Sequence, residues 1–555
     1  MADPTSEPKS EAKPAAEAAK ALLLQGLFHH QQGQLDQAME RYTDVLRADP
    51  HNAEALYYVA VVACQGGQYQ QGVDLARRAL SFGPPTARLH NLIGQALDRL
   101  GQPLEAMKNF DQAIALDPAL AAAHGNRANI LVDAGMRDEA LKSFDRAIAL
   151  NPNSGPDLIN RGALLEELGR PEEALASYDQ AIACDPNVPE VHANRASLLK
   201  DLGLMDLGRG EQTSARFDEA AASYNRAIKI DRSLSEAYLG RGLLNLMRGN
   251  WEQGFADYEY RSEVGRPGYQ PLPGPRWDGK PLNGERLVLV AEQGLGDTIQ
   301  FARFAPLLAA RGYDVTLLVR KAMAPLLSTL QGVTIATDAA DVTKDPRPLR
   351  WLPLLSAPGV LGITPETLPR EVPYLTADAK RVQGWAGRLG KSSFKIGINW
   401  APGHADKTQT SRRDIPLANF ASLAALPGVE LVSLQKGAPA SEIAQVAFGD
   451  KIRTIDADMN ADADFFLDTA AVMTNLDLIV GCDTSVVHLA GALARPVFTV
   501  VPVISDWRWM LQRDTTVWYP TMRLFRQDAT RQWAPLFERM AAELRQILAA
   551  GPTRH

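Results

Sequence analysis

Residues 118–152 read PALAAAHGNRANILVDAGMRDEALKSFDRAIALNP, a stretch that begins and ends on proline. Prolines also stand at Pro50, Pro84 and Pro186, so that Pro50, Pro84, Pro118, Pro152 and Pro186 fall 34 positions apart. Small and aromatic residues keep the same step. Gly94, Ala106, Phe110 and Ala113 match Ala128, Ala140, Phe144 and Ala147, and Gly162, Ala174, Tyr178 and Ala181 repeat the set. Glycine or alanine on one helix and alanine on the next let two backbones approach, while the aromatic fills the gap between units. Proline ends the second helix and starts the next unit. A period of this length is that of a stacked helix-turn-helix unit.

The pattern resembles the tetratricopeptide family over about residues 19–262, which implies an all-α solenoid that holds another macromolecule. Two departures stand out. The sixth unit carries an insertion between Leu199 and Phe217, expected to lengthen its inter-helix turn. The seventh, from Ser235, keeps Gly254 and Tyr258 but has Arg261 in place of alanine, as a terminal cap would. Asn126-Arg127, Asn160-Arg161 and Asn194-Arg195 recur on successive first helices. Asn126, Asn160 and Asn194 are candidates for holding an extended acceptor peptide by its backbone amides, the alternative being a solvated polar face. His29, His30, His90, His124 and His192 have no metal-ligand spacing beyond one adjacent pair and read as solvent-facing.

The chain has 555 residues, too many for one core, with 46% hydrophobic and 22% charged residues, as expected of globular domains. Its net charge of -7 supplies no basic field for nucleic acid. Cys64, Cys184 and Cys482 are too scattered for a metal or redox motif and fit a reducing cytoplasm. Residues 1–18 lack the apolar run of a secretory signal and read as a disordered tail. No apolar stretch reaches the ~18 residues of a membrane span, so no membrane insertion is expected.

Residues 263–284 are rich in proline and glycine and read as a stiff linker. Beyond it, Arg286–Ala291 reads as a buried strand, Glu292–Thr298 as a tight turn, Ile299–Arg311 as a helix and Asp314–Val319 as a strand. Residues 395–400, 429–434, 476–480 and 496–501 read as strands of a second doubly wound sheet. The expected architecture is two Rossmann-like domains, 285–390 and 391–550, with a cleft between them; the proline-rich residues 338–375 stay unassigned. The turn holds Gly294 and Gly296, but Ile299 replaces the third glycine of a dinucleotide fingerprint, and no GxxxxGK[ST] run exists. In GCDTSVVHLAGAL a strand runs into a helix that starts at Asp483, Thr484 or Ser485. Its exposed amides and the Thr484 and Ser485 hydroxyls suit a phosphate, with His488 on the same face; an N-cap with a packed histidine is the alternative.

That segment resembles the nucleotide-sugar region of GT-B glycosyltransferases, above all bacterial heptosyltransferases. With EQGLGDTIQFARF, LVSLQKG and DWRWML it is similar, over about residues 286–530, to bacterial proteins joining tetratricopeptide repeats to such a transferase. The order of parts is that of protein O-GlcNAc transferases and of flagellin glycosyltransferases. The resemblance implies a nucleotide sugar (CMP-, UDP- or ADP-linked) as donor, a protein acceptor such as Ser or Thr of flagellin, and no metal or other cofactor. It implies Asp297 as the base that deprotonates the acceptor hydroxyl, an N-cap being the alternative, and Glu292 is a rival carboxylate. Arg413 and Lys436 match donor positions, Arg412 and Lys407 are neighbours, and His404 is a further donor candidate on the loop after a strand. Gly294, Gly296, Asp483, Thr484, Ser485 and His488 complete the donor set. Trp507 and Trp509 read as interface residues rather than base-stacking ones. The pairs Asp456/Asp458 and Asp462/Asp464 only superficially resemble a metal-binding DxD motif. Rival readings are an inactive scaffold and a transferase acting on glycan or lipopolysaccharide.

Overall fold

The computed structural model describes residues 12–264, 271–390, 393–402, 413–455 and 465–550. It divides into two compact units, Met1–Asn194 and Arg195–His555.

In the first unit the repeat length follows from uniform helices. The first helices Ala53–Gln65, Ala87–Arg99, Ala121–Asp133 and Gly155–Glu167 have 13 residues each. The second helices Leu35–Ala48, Tyr69–Phe82, Pro103–Leu116, Arg137–Leu150 and Pro171–Cys184 have 14. Each stops just short of its repeat proline. The turn inside every unit is made by a left-handed glycine, Gly33, Gly67, Gly101, Gly135 and Gly169, with φ between 70° and 76°. Within a unit the aromatic lies on the glycine of the facing helix: a β-carbon on Gly94 would come within 2.5 Å of the Phe110 ring, and one on Gly162 within 2.5 Å of Tyr178.

The recurring arginines stitch neighbouring units together. Arg127 donates to Asp111 of the preceding unit (2.8 Å) and to Ser143 of its own (2.8 Å); Arg161 does the same with Asp145 and Ser177 (both 2.7 Å). The asparagines beside them pair across first helices, Asn126 with Asn91 and Asn160 with Asn129, each at 3.0 Å. Both halves of the stripe are therefore tied into the packing between repeats, with Asn160 the exposed asparagine of the three.

The insertion in the sixth unit lengthens the inter-helix turn as expected, to residues 209–215, where the first five units use three residues such as 66–68 and 100–102. It also extends the first helix, Pro189–Gly208, to 20 residues. The extended end docks on the second half: the Gly208 carbonyl accepts from Ala529 N (3.1 Å), and the Glu211 carbonyl from the Gln512 side chain (3.0 Å). The seventh unit, Ser235–Arg248 and Trp251–Tyr258, is likewise no solvent-facing cap. Trp251 stacks on Trp518 with centroids 5.4 Å apart, and Phe255 and Tyr258 meet Trp507 edge-on. Nor are residues 271–284 a free linker, because Trp277 is buried and its amide donates to the Trp351 carbonyl (2.8 Å).

Two wholly parallel sheets follow. The first contains β1 (Arg286–Val290), β2 (Val315–Leu318), β3 (Val333–Ala336) and β4 (Leu349–Pro353) in the order β3-β2-β1-β4. The second contains β5 (Phe394–Asn399), β6 (Val429–Ser433), β7 (Ile452–Arg453), β8 (Leu478–Cys482), β9 (Val497–Val501) and β10 (Met522–Arg526) in the order β10-β9-β8-β5-β6-β7. Both are doubly wound, and the strand order reverses between β1 and β4 and between β5 and β8, where open α/β sheets bind ligands beyond the strand ends. β4 lies in the stretch left unassigned. The helix after β1 starts at Leu295, earlier than the sequence suggests, and is interrupted between Phe301 and Phe304. No helix among the described residues is long and apolar enough to cross a membrane.

Because the Gly162 contact leaves no room for a side chain, Gly162→Leu should destabilise the array by about 1–3 kcal/mol through overpacking. Gly155→Ala, at a glycine with nothing within 4 Å of its added carbon, should change little. Thermal unfolding followed by circular dichroism checks both.

Candidate active site

Both strand-order reversals open on one cleft of about 700 Å³. One wall is the turn after β1, Gln293–Asp297; the other is Pro402, Arg413, Asp483, Thr484, Ser485 and His488, with Asp506, Trp507 and Arg508 beside it. Leu239, Leu243, Tyr258 and Arg261, from the last repeat unit, and Arg320, which donates to the Gln293 carbonyl, complete the lining.

Asp297 is the third residue of its helix and closes a capping turn, its Oδ2 accepting from Gly294 N at 2.8 Å. Its Oδ1 accepts from Arg508 Nη2 at 2.5 Å. A carboxylate has about four lone-pair positions, so these bonds fix its orientation without exhausting it. Asp297 is therefore not the N-cap, a place Gly294 takes, but the third-position partner of a capping box, and it also lines the cleft. Glu292 does not. Its side chain is 2% exposed and gripped by Arg261, Nε to Oε2 at 3.1 Å and Nη2 to Oε1 at 2.6 Å, and Oε1 also accepts from Leu355 N. That carboxylate is withdrawn from the cleft and is corrected from rival base to structural anchor.

Gly294 and Gly296 are needed for close approach. A β-carbon on Gly296 would lie 3.1 Å from His488 Cδ2 and 3.4 Å from Ser485 N, so this glycine lets the helices at the two strand ends touch. One on Gly294 would press within 2.9 Å of Asp297 Oδ2.

On the facing wall Thr484 is the N-cap of the helix Ser485–Ala492. Its hydroxyl donates to Asn399 Oδ1 (2.7 Å), which ties the end of β8 to the end of β5. Asp483 is buried, with Oδ2 accepting from Trp509 Nε1 (3.0 Å) and Oδ1 lying 3.5 Å from His488 Nε2. Burial pushes its carboxyl up, but the His488 hydrogen bond and the Arg413 charge outweigh this and hold it well below the usual carboxylate range. His488 itself is buried, stacked on Trp509, with Nδ1 3.2 Å from the Tyr519 hydroxyl. It lines the cleft as a packed member of this network. Arg413 reaches the Asp483 carbonyl with Nη1 at 3.4 Å, and the Asp483 charge raises its pKa against the effect of burial.

Lys436 is not part of the cleft lining. The residue before it does the local work: Gln435 Oε1 accepts from Asn399 Nδ2, Trp400 N and Ala401 N at 2.9–3.0 Å, fixing the loop after β5. His404, Lys407, Arg412, Asp456, Asp458, Asp462 and Asp464 lie outside the described residues. Among the described residues no group of acidic, histidine or cysteine side chains could hold a metal ion. Asn126 lines a separate groove of about 530 Å³ within the first unit, together with Gln65, Gln95 and Asn129. Asn160 is exposed and Asn194 half-buried on their helices. Sequence reasoning missed Arg508 as a cleft residue; the available signal was a charge held between two tryptophans in DWRWML.

Residues 29–96 match one family model described as a tetratricopeptide repeat, and residues 91–155, 126–189 and 205–269 match a second model of that description. The chain carries tetratricopeptide repeats. It is also 30% identical over 334 residues to the protein FlbA of Caulobacter vibrioides, covering 56% of this chain and 55% of FlbA, so it spans about half the length of that relative. Among solved structures, PilF of Pseudomonas aeruginosa is 21% identical, covers 40% of this chain and 96% of its own, and gives a TM-score of 0.36. A tetratricopeptide protein of Thermus thermophilus is 23% identical, covers 33% of this chain and 99% of its own, and gives 0.30.

Replacing Glu292 by Gln leaves buried Arg261 with Glu259 as its remaining carboxylate partner, and should destabilise the chain by about 3 kcal/mol, the low end for a broken buried pair, in chemical unfolding. Asp483 titrates with the opposite emphasis. A carboxyl held low in the folded state stabilises above its unfolded pKa of about 3.9 and loses that contribution as pH falls further. The stability deficit of Asp483→Asn should therefore be full at pH 7 and shrink below about pH 4. A deficit independent of pH would show that its charge is not what matters.

Proposed function

We propose that the chain is an inverting, metal-independent glycosyltransferase that moves a sugar from a nucleotide-sugar donor to a protein acceptor held by the repeats. The observation that carries this reading is the opposition, across one cleft, of Asp297 at the reversal of the first sheet and Asp483, Thr484, Ser485 and Arg413 at that of the second. The donor diphosphate or phosphate lies against the start of the helix Ser485–Ala492, with Arg413 and Arg508 beside it. The acceptor hydroxyl oxygen attacks the anomeric carbon from the Asp297 side, Asp297 takes the hydroxyl proton, and the bond from sugar to phosphate breaks. The electron pair leaves on the phosphate, where fixed positive charge stabilises it. Resemblance to heptosyltransferases supports these roles. Resemblance in organisation to flagellin glycosyltransferases makes flagellin the acceptor of choice, met in the cytoplasm.

In this reading Asp297→Ala abolishes transfer without weakening donor binding, and full activity in that variant removes Asp297 as the base. Saturating donor should raise the unfolding midpoint, since a ligand at 100 times its Kd adds about 2.7 kcal/mol. UDP-, ADP-, GDP- and CMP-sugars form the panel; no shift with any of them favours the scaffold. Intact mass of flagellin from cells with and without the gene tests the acceptor, and an unchanged mass removes it.

A further inference from the structure

Arg508 is the cation of the cleft that bonds directly to Asp297. It sits in the short turn Trp507–Trp509, is 7% exposed, and commits all three guanidinium nitrogens. Nε donates to Gln300 Oε1 (2.9 Å), Nη1 to Asp506 Oδ1 (2.9 Å) and Nη2 to Asp297 Oδ1 (2.5 Å). Arg413 faces the same space, close enough that the two guanidinium groups repel each other, and its hydrogen bond there is to a main-chain carbonyl. Asp297, Asp483 and Asp506 offset that repulsion. The network is also incompletely bonded: Gln300 is fully buried, and while its oxygen accepts from Arg508, its amide nitrogen has no partner. Two facing arginines with aspartate counterions form a place where a more highly charged anion competes with those carboxylates for the same donors.

We propose that Arg508 is a donor-binding residue that exchanges partners. It holds the Asp297 carboxylate in the arrangement described, and turns to the phosphate of the nucleotide sugar when that group arrives beside Arg413. This rests on the glycosyltransferase reading and adds a coupling to it. The same movement that neutralises the leaving phosphate frees Asp297 Oδ1 for the acceptor hydroxyl, so donor binds before acceptor. Planar, two-pronged contact with a carboxylate or a phosphate is arginine chemistry that lysine does not reproduce.

The test is calorimetric titration of the full chain with pyrophosphate, UDP, ADP, GDP and CMP. If Asp297 and phosphate compete for Arg508, Asp297→Asn binds the preferred probe roughly tenfold more tightly than the wild type, because the competing charge-assisted bond is gone. Arg508→Lys, which keeps the charge and so the fold, binds several-fold more weakly, and in the double variant the gain from Asp297→Asn disappears. Equal affinity of Asp297→Asn and wild type overturns the exchange. So does a gain that survives intact beside Arg508→Lys, since that would be simple removal of a nearby negative charge. If none of the five probes binds the wild type, the glycosyltransferase reading falls and this inference with it; binding without the coupling overturns only the exchange.

Discussion

The buried ion pair between Arg261 and Glu292 is the constraint on which the second unit depends. It joins the end of the last repeat to the turn after β1 through two parallel hydrogen bonds, and Arg261 Nη2 reaches on to Ser356 Oγ at the end of β4 (2.8 Å). Charges this deep are costly to desolvate and are tolerated only when geometry and further hydrogen bonds compensate. Here they do: burial alone would lower the Arg261 pKa, but Glu292 and Glu259 raise it. Since β1 and β4 flank the strand-order reversal of the first sheet, one arginine from a repeat sets the position of both strand ends that border the cleft.

An aromatic cluster makes that junction rigid. Trp251 and Phe255 of the last repeat pack with Trp507 and Trp518, and Trp518 meets Phe301 at 5.3 Å on the helix that carries Asp297. The turn Trp507–Trp509 is thereby held from both sides, which is why Arg508 can bridge the two sheets. Gly296 supplies the other fixed point, where the helices after β1 and β8 touch. A carboxylate at one strand end and a helix start at the other are thus set facing each other by packing, before any ligand is considered.

What the sequence made legible was what periodicity carries. The 34-residue step, the mostly apolar strands β1, β2, β5, β6, β8 and β9, and the polar turn at Asp483 each announce themselves in a short window. β3, β4, β7 and β10 did not: β3 is an edge strand with no fully buried residue, β4 ends on Pro353, β7 has two residues, and β10 interleaves Arg523 and Arg526. Side-chain roles were legible only where local geometry decided them. The capping role of Asp297 is close to legible, displaced from N-cap to the third helical position, because its partner Gly294 lies three residues away. Glu292 is misread because its partner Arg261 is 31 residues away in another element, and Arg508 escapes notice because Asp297 is 211 residues away.

The junction also explains why the repeat pattern frays where it does. Arg161 meets Ser177 at a separation of 16 residues; Arg195 meets Ser223 at 28, with nearly the same bond length (2.7 and 2.9 Å), and Arg241 returns to 16 in its bonds to Asp257. The insertion is thus absorbed without disturbing the contact that links the two helices of the unit, and its extra residues are shared between the helical extension that meets Ala529 and the longer turn 209–215. From that point each departure from the repeat consensus has a partner outside the array: Gly208 for Ala529, Trp251 for Trp518, Arg261 for Glu292. Residues that only stack on the next unit keep the period. Those that must also serve the cleft lose it, and the irregular last unit, with Leu239, Leu243 and Tyr258 in the cleft wall, is where a binding array becomes part of a catalytic one under the proposed function.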